Sequence, residues 1–164
     1  EIIVTLVFAV LVAISAFQTV TLQESAMEPT YSVGQKFFVN RALYKIKSPK
    51  RGDVIVFKTS ASDDAALHIR RVIGLPGETV QIKEGQIYIN GNVYEENGAY
   101  QEIADGGLAD SAITLESGEY FVLGDNRNNS EDSRFSDIGN ISKKYIVGKI
   151  WFTVSPKSKI GFIR

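Results

Sequence analysis

The amino-acid sequence predicts a mostly β protein, an antiparallel body with a small β insertion, preceded by one N-terminal transmembrane helix. Three observations carry this. Residues 2–17 hold no charge, and Thr5 and Ser15 are their only polar members. Beyond them, short runs rich in valine, isoleucine, threonine and aromatic residues recur between glycine and asparagine turns. No interior stretch keeps a useful helical period.

Taken in order, residues 1–20 are expected to form a membrane anchor. A span needs ~20 apolar residues at ~1.5 Å each. Residues 2–17 fall slightly short, and extension to Leu22 adds only Gln18, Thr19 and Thr21 as polar residues, so the stretch is expected to belong to a longer anchor. A cleaved secretory peptide, suggested by the small residues of Ala13-Ile14-Ser15-Ala16, and a buried core helix are the alternatives. The anchor is preferred because no polar spacer separates it from the domain. Strands are expected over 19–24, 36–39, 54–58 and 67–73, with Leu75-Pro76-Gly77 forcing a turn. Residues 79–93 read as a three-stranded meander. Glu84-Gly85 turns the first hairpin and Asn90-Gly91, where both positions tolerate positive φ, turns the second. Residues 97–111 are polar and glycine-rich and read as loop. Strand 120–123 follows, then a short turn or helix from Lys143 leading into a strand that ends near Pro156. This divides the chain into the anchor (1–20), a β core (21–78 and 118–164) and a smaller β insertion (79–117).

Composition narrows the function. A length of 164 residues suits one core with a modest insertion, and 44% hydrophobic with 23% charged residues argues against disorder. A net charge of −1 gives no sign of a nucleic-acid partner. Without cysteine there is no disulfide or thiolate metal site, and His68, the single histidine, excludes multi-histidine sites, so neither metal nor cofactor is expected.

Three segments carry the chemistry. Glu24-Ser25-Ala26-Met27-Glu28-Pro29-Thr30 follows the anchor and first strand, with Pro29 restraining the chain and Met27 suited to apolar surface. Arg70-Arg71-Val72-Ile73-Gly74-Leu75-Pro76-Gly77 ends a strand. Two successive arginines there face opposite sides, so Arg71 is expected in a salt bridge and Arg70 at solvent or a groove. Gly124-Asp125-Asn126-Arg127-Asn128-Asn129-Ser130-Glu131-Asp132-Ser133-Arg134 orders carboxylates, amides and arginines as a buried polar network requires. A calcium loop is a poor fit: the sixth position lacks glycine, and Arg127 occupies a ligand place.

Together with Arg51-Gly52-Asp53-Val54-Ile55-Val56-Phe57, these segments resemble, in order and spacing, the boxes of type I signal peptidases, the membrane-bound proteases with a serine/lysine dyad. The resemblance covers nearly the whole chain except 97–111. It implies the signal peptidase I-like antiparallel β-fold, with an uncleaved anchor running straight into the first catalytic strand. It also implies a single-pass protein of the cell membrane with its β-domain on the extracytoplasmic side. The family's nucleophile box reads Ser-Met-x-Pro-Thr, so Ala26 stands at the nucleophile position. Its base box reads Lys-Arg-x-Ile-Gly-Leu-Pro-Gly, so Arg70 stands at the general-base position. Equivalents of Ser130 and Asp132 help position the family's lysine, Arg134 braces that network, and Asp125 pairs with Arg71.

Departures from the pattern decide the expected function. A neutral amine is needed to take a serine proton, and arginine stays protonated. Glu24 adds a carboxylate where some members place a serine that helps the oxyanion hole. A rescue by Ser25 and His68 would require hydrogen-bond contact. His68 lies on the face of Arg70, roughly 6.6 Å along the strand, whereas Ser25 should point away from the face of Ala26. The leading expectation is a non-cleaving member that binds signal-peptide-like or pilin-like exported segments, with a chaperone-like part in pilus assembly such as noncanonical members play. Alternatives are an active peptidase disabled by introduced Ser→Ala and Lys→Arg changes, an active peptidase with displaced catalytic groups, or a structural membrane-anchored β-domain. The peptide is expected to add as a strand between 24–26 and 67–70, against Glu24, Ser25, Met27, Leu67, His68 and Ile69, with shallow apolar pockets selecting small residues. Apolar surface beside that groove is expected to rest on membrane lipid.

Overall fold

The computed structural model describes residues 1–8, 17–62 and 64–163. Its strands are β1 (Phe17–Thr21), β2 (Lys36–Asn40), β3 (Val54–Phe57), β4 (His68–Gly74), β5 (Thr79–Lys83), β6 (Gln86–Ile89), β7 (Asn92–Val93), β8 (Ile113–Thr114), β9 (Glu119–Leu123), β10 (Ile141–Ser142), β11 (Ile146–Ser155) and β12 (Gly161–Phe162). They form two antiparallel sheets. The larger runs β1-β2-β11-β3-β4-β9-β10, with β12 also on β11, and the smaller runs β7-β6-β5-β8.

Side-chain pattern explains the order. β3 is Val-Ile-Val-Phe and all four side chains are buried, as a strand covered on both faces must be. β2 alternates, with Phe37 and Val39 wholly buried while Lys36 and Phe38 face out. Between β5 and β6, Glu84 and Gly85 have φ of 52° and 75°. Between β6 and β7, Asn90 and Gly91 have 51° and 79°. These paired positive values set the strands' twist in a two-residue hairpin. The two sheets meet through Ile73, Phe121 and Leu123 on one side and Val80, Ile82 and Ile87 on the other. Gly74 makes that approach possible, since a Cβ there would lie 2.6 Å from Val80 and 2.7 Å from Leu115.

Some boundaries differ from expectation. β1 begins at Phe17 and ends at Thr21, so Glu24 lies beyond it. Leu22 N–H still donates to Gln35 O and accepts Gly34 N–H on its own carbonyl, after which Ser25–Met27 closes a 3₁₀ turn. The helix Leu43–Ile46 was not anticipated; Asn40 Oδ1 caps it by accepting N–H from Ala42 and Leu43. The two-residue strands β8, β10 and β12 are too short to leave a sequence period. The expected loop 97–111 contains a 3₁₀ turn at Gly107–Asp110.

Residues 2–8 are helical and exposed. Much of the anchor expected over 1–20 falls on 9–16, outside the described residues. Among the described residues, no helix is long and apolar enough to cross a membrane.

Candidate functional site

Three elements converge: the turn Ser25–Met27, the first half of β4, and the polar box 124–134. Their contact point is Gly124. A Cβ there would sit 2.2 Å from Ser130 Oγ and 2.5 Å from Ala26 O, so only glycine lets turn and box close together. The box then clamps the turn with amides. Asn126 N–H donates to Ala26 O (2.9 Å) and its Nδ2 to Ser25 O (3.1 Å), while Asn129 Nδ2 donates to Ser25 Oγ (3.2 Å). Asn126 and Asn129 were not singled out in the sequence. Their position inside an otherwise charged box is the only signal that could have marked them.

Ala26 is buried at the centre of this clamp, with a methyl group and no nucleophile. Met27 is completely buried and Ile69 nearly so. Both join Val20, Leu22, Phe37, Val39, Val54, Val56 and Ile150 in one core cluster, against which Leu67 packs. They hold the turn down onto the sheet.

Of the two places expected for it, solvent or a groove, Arg70 takes the groove, whose wall it lines while only 1% exposed. Its guanidinium is fully engaged. Nε donates to Glu131 O (2.8 Å), Nη1 to Ile69 O (2.8 Å) and Nη2 to Glu24 Oε2 (2.5 Å). A buried charge is tolerable only when paired and hydrogen-bonded, and Glu24 supplies the pair across 46 residues of sequence. His68 Nδ1 lies 3.0 Å from the other oxygen, Glu24 Oε1, without an aligned hydrogen bond of its own. The imidazole beside it is the largest influence on Glu24. With Arg70 it overcomes burial and holds the carboxyl down at about 2. The carboxylate read as an oxyanion repellent is thus committed to Arg70 and His68.

The flanking network is closed. Arg71 grips Asp125 with two bonds, Nε to Oδ1 (2.8 Å) and Nη2 to Oδ2 (2.6 Å), and gives Nη1 to Gly52 O (2.9 Å). Asp132 takes Arg134 Nε (2.8 Å) on Oδ1 and both Arg134 Nη2 (2.9 Å) and Gly124 N–H (3.0 Å) on Oδ2. Asp132 is therefore spent on Arg134 and the Gly124 backbone. Arg127, read only as an obstacle to calcium, is buried. It binds Glu96 through Nη1 (2.5 Å) and Nη2 (2.6 Å) beneath the Tyr100 ring. Ser130 Oγ is different: buried, and without a hydrogen-bond partner among the described residues.

Between turn, strand and box lies a groove of about 530 Å³, with Glu24, Ser25, Ala26, Arg70, Ser130 and Phe135 in its lining. It holds no hydroxyl–amine pair. Ser25 Oγ is taken by Asn129 and His68 faces Glu24, so the two are not brought together as a rescue dyad. Among the described residues, no group of three or more His, Asp or Glu side chains could hold a metal ion.

Comparison with known proteins places the sequence in a family. The model of the family "Signal peptidase, peptidase S26" matches residues 1–155. A signal peptidase I of Bacillus amyloliquefaciens is 37% identical over 166 residues, covering 97% of this chain and 87% of that protein. A signal peptidase I of Bacillus licheniformis is 32% identical over 167 residues, covering 97% and 88%. A crystal structure of a signal peptidase I from Enterococcus faecalis is 32% identical and aligns at a TM-score of 0.49 over 63% of this chain and 97% of that one. The chain belongs to the type I signal peptidase family.

Proposed function

We propose that this member of the signal peptidase family recognises signal-peptide-like segments of exported proteins and does not cleave them. In this reading Ala26 occupies the nucleophile position and Arg70 the general-base position. Ser130 and Asp132 survive from the set that positions a lysine, and Arg71, Asp125 and Arg134 keep the frame rigid. The chain sits in the cell membrane on one N-terminal anchor, with the β body on the extracytoplasmic side as a single core carrying a small insertion. Its client is a signal peptide or a pilin-like exported protein, and it serves assembly as a chaperone-like partner.

The observation that carries the proposal is the Glu24–Arg70 pair. A guanidinium offers five N–H donors and no acceptor, so the side chain at 70 cannot take a proton from a hydroxyl. Here it is buried on three acceptors, one of them a carboxylate. An extended peptide would add as a strand between 24–26 and 67–70, drawing affinity from backbone bonds and selectivity from the groove side chains around Ala26, Glu24, Ser25 and Phe135 among them.

The test is direct. A synthetic signal peptide with alanine at the first and third positions before its cleavage point is mixed with the full chain in detergent, and binding is followed by fluorescence anisotropy and cleavage by mass spectrometry. Binding without cleavage is expected. Cleavage by the unaltered chain overturns the non-cleaving reading, and absence of binding overturns the groove. Ala26→Ser combined with Arg70→Lys and Glu24→Ser is expected to gain measurable cleavage.

A further inference from the structure

We infer that the groove selects a peptide carrying a basic side chain, with Glu24 as the residue that makes the selection. The inference rests on the peptide-groove reading proposed above and names the class of client. Charge points to a cation. Glu24, Glu131 and Asp137 line the groove, and among the described residues Arg70 is the sole cation of that lining. Three negative charges against one positive leave two uncompensated, and a charged imidazole at His68 would offset only one of them. Arg70 is not placed to draw in an acid: it is 1% exposed and donates to Glu131 O, Ile69 O and Glu24 Oε2. Glu131 and Asp137 are exposed and, among the described residues, neither pairs with a cation. A cleft lined by one sign of charge focuses its field on the opposite sign.

Hydrogen bonding points the same way, independently of charge. The amide donors of the lining are spent, Asn128 Nδ2 on Glu102 O (3.0 Å) and Asn129 Nδ2 on Ser25 Oγ (3.2 Å). Acceptors are left over. Glu24 gives Oε2 to Arg70, while its Oε1 has only His68 Nδ1 at 3.0 Å, without an aligned hydrogen bond, and the side chain is 37% exposed. Held down at about 2 by the imidazole and by Arg70, that carboxyl is charged throughout the neutral range. Ser130 Oγ is buried in the same wall without a partner among the described residues, and its lone pairs can accept an N–H. It lies close to the turn, since a Cβ on Gly124 would be 2.2 Å from it and 2.5 Å from Ala26 O. An ammonium carries three N–H donors and a positive charge on one tip, so it can meet the carboxylates and the hydroxyl together. An apolar or acidic side chain brings neither.

The experiment uses the full chain in detergent with the synthetic signal peptide, in which one position at a time around the two alanines is lysine, norleucine or glutamate. Fluorescence anisotropy gives the affinities. At one position lysine is expected to bind about fivefold more tightly than norleucine, with glutamate weaker than both, and the difference is expected to shrink in high salt. Glu24→Gln should remove most of the lysine preference. Because that variant strands Arg70, Glu131→Gln with Asp137→Asn, both at exposed positions, serves as a second probe and should lower the preference about twofold. Ser130→Ala should lower it by about the same factor. Equal affinity for the three peptides overturns the inference and leaves the groove standing. Preference for glutamate overturns it as well and makes Arg70 the selector. A lysine preference that persists in every variant overturns the assignment to these residues. Binding of none of the peptides overturns the groove reading and the inference with it.

Discussion

Arg70 and Arg71 are neighbours on one strand, yet they serve two different regions. Arg71 belongs to the polar box, where each arginine closes on a buried or nearly buried carboxylate: Arg71 on Asp125, Arg134 on Asp132, Arg127 on Glu96. Arg70 belongs to the groove, where the matching carboxylate, Glu24, is itself 37% exposed and a hydroxyl without a partner among the described residues, Ser130 Oγ, lies alongside. The box is a sealed structural network, and the groove is a charge arrangement open on one side. The groove can vary only while the box keeps the turn and strand in register.

Substitutions can break that contrast. The largest effect is expected from Asp132→Ala, which strands Arg134 in the interior. A loss of about 3–5 kcal/mol, read from the urea midpoint, is the consequence of one unpaired buried charge. Gly124→Ala comes next, because a Cβ at 2.2 Å from Ser130 Oγ and 2.5 Å from Ala26 O must push the turn off the box. About 1–3 kcal/mol is expected, with peptide affinity falling alongside stability. Glu24→Gln should cost less than Asp132→Ala, about 1–2 kcal/mol, since water reaches Glu24 and screens the loss. If the two cost the same, the distinction between sealed and open regions fails.

Acidity sharpens the same point. Glu24 is held at about 2 against an ordinary 4.5, so its contribution to stability is complete above pH 4.5 and is lost as pH falls through 2. Unfolding of the parent measured between pH 5 and pH 2, on the order of two to three units around that window, should therefore show a destabilisation that the Glu24→Gln chain partly lacks. The smallest effect is expected at Ser130→Ala. Removing a hydroxyl without a partner should be nearly neutral, within about 0.5 kcal/mol, whereas Ser133→Ala, which deprives Val122 N–H of its acceptor at 2.9 Å, should cost about 1–2 kcal/mol. The pair is compared by thermal melting.

Much of the fold was legible because its signals are local. The hairpins at 84–85 and 90–91 and the buried run of β3 each depend on a few adjacent residues. The helix Leu43–Ile46 and the two-residue strands were not, since neither reaches the length at which a period shows. At the site, the polar box could be read as a network because acids, amides and arginines are gathered within eleven residues, 124–134. The burial of Arg70 could not, because its carboxylate comes from 46 positions earlier and its acceptor Glu131 O from 61 positions later.

What the sequence by itself determined is the set of groups present: an alanine at 26, an arginine at 70, and the box with its order of acids, amides and arginines. Which groups can still act was decided only by tertiary structure. Folding buries Arg70 and therefore demands a counter-charge, which commits Glu24 and draws in His68. The cost of an unpaired charge away from water is what links these distant residues, and desolvation is a property of the packed molecule that no stretch of chain possesses alone.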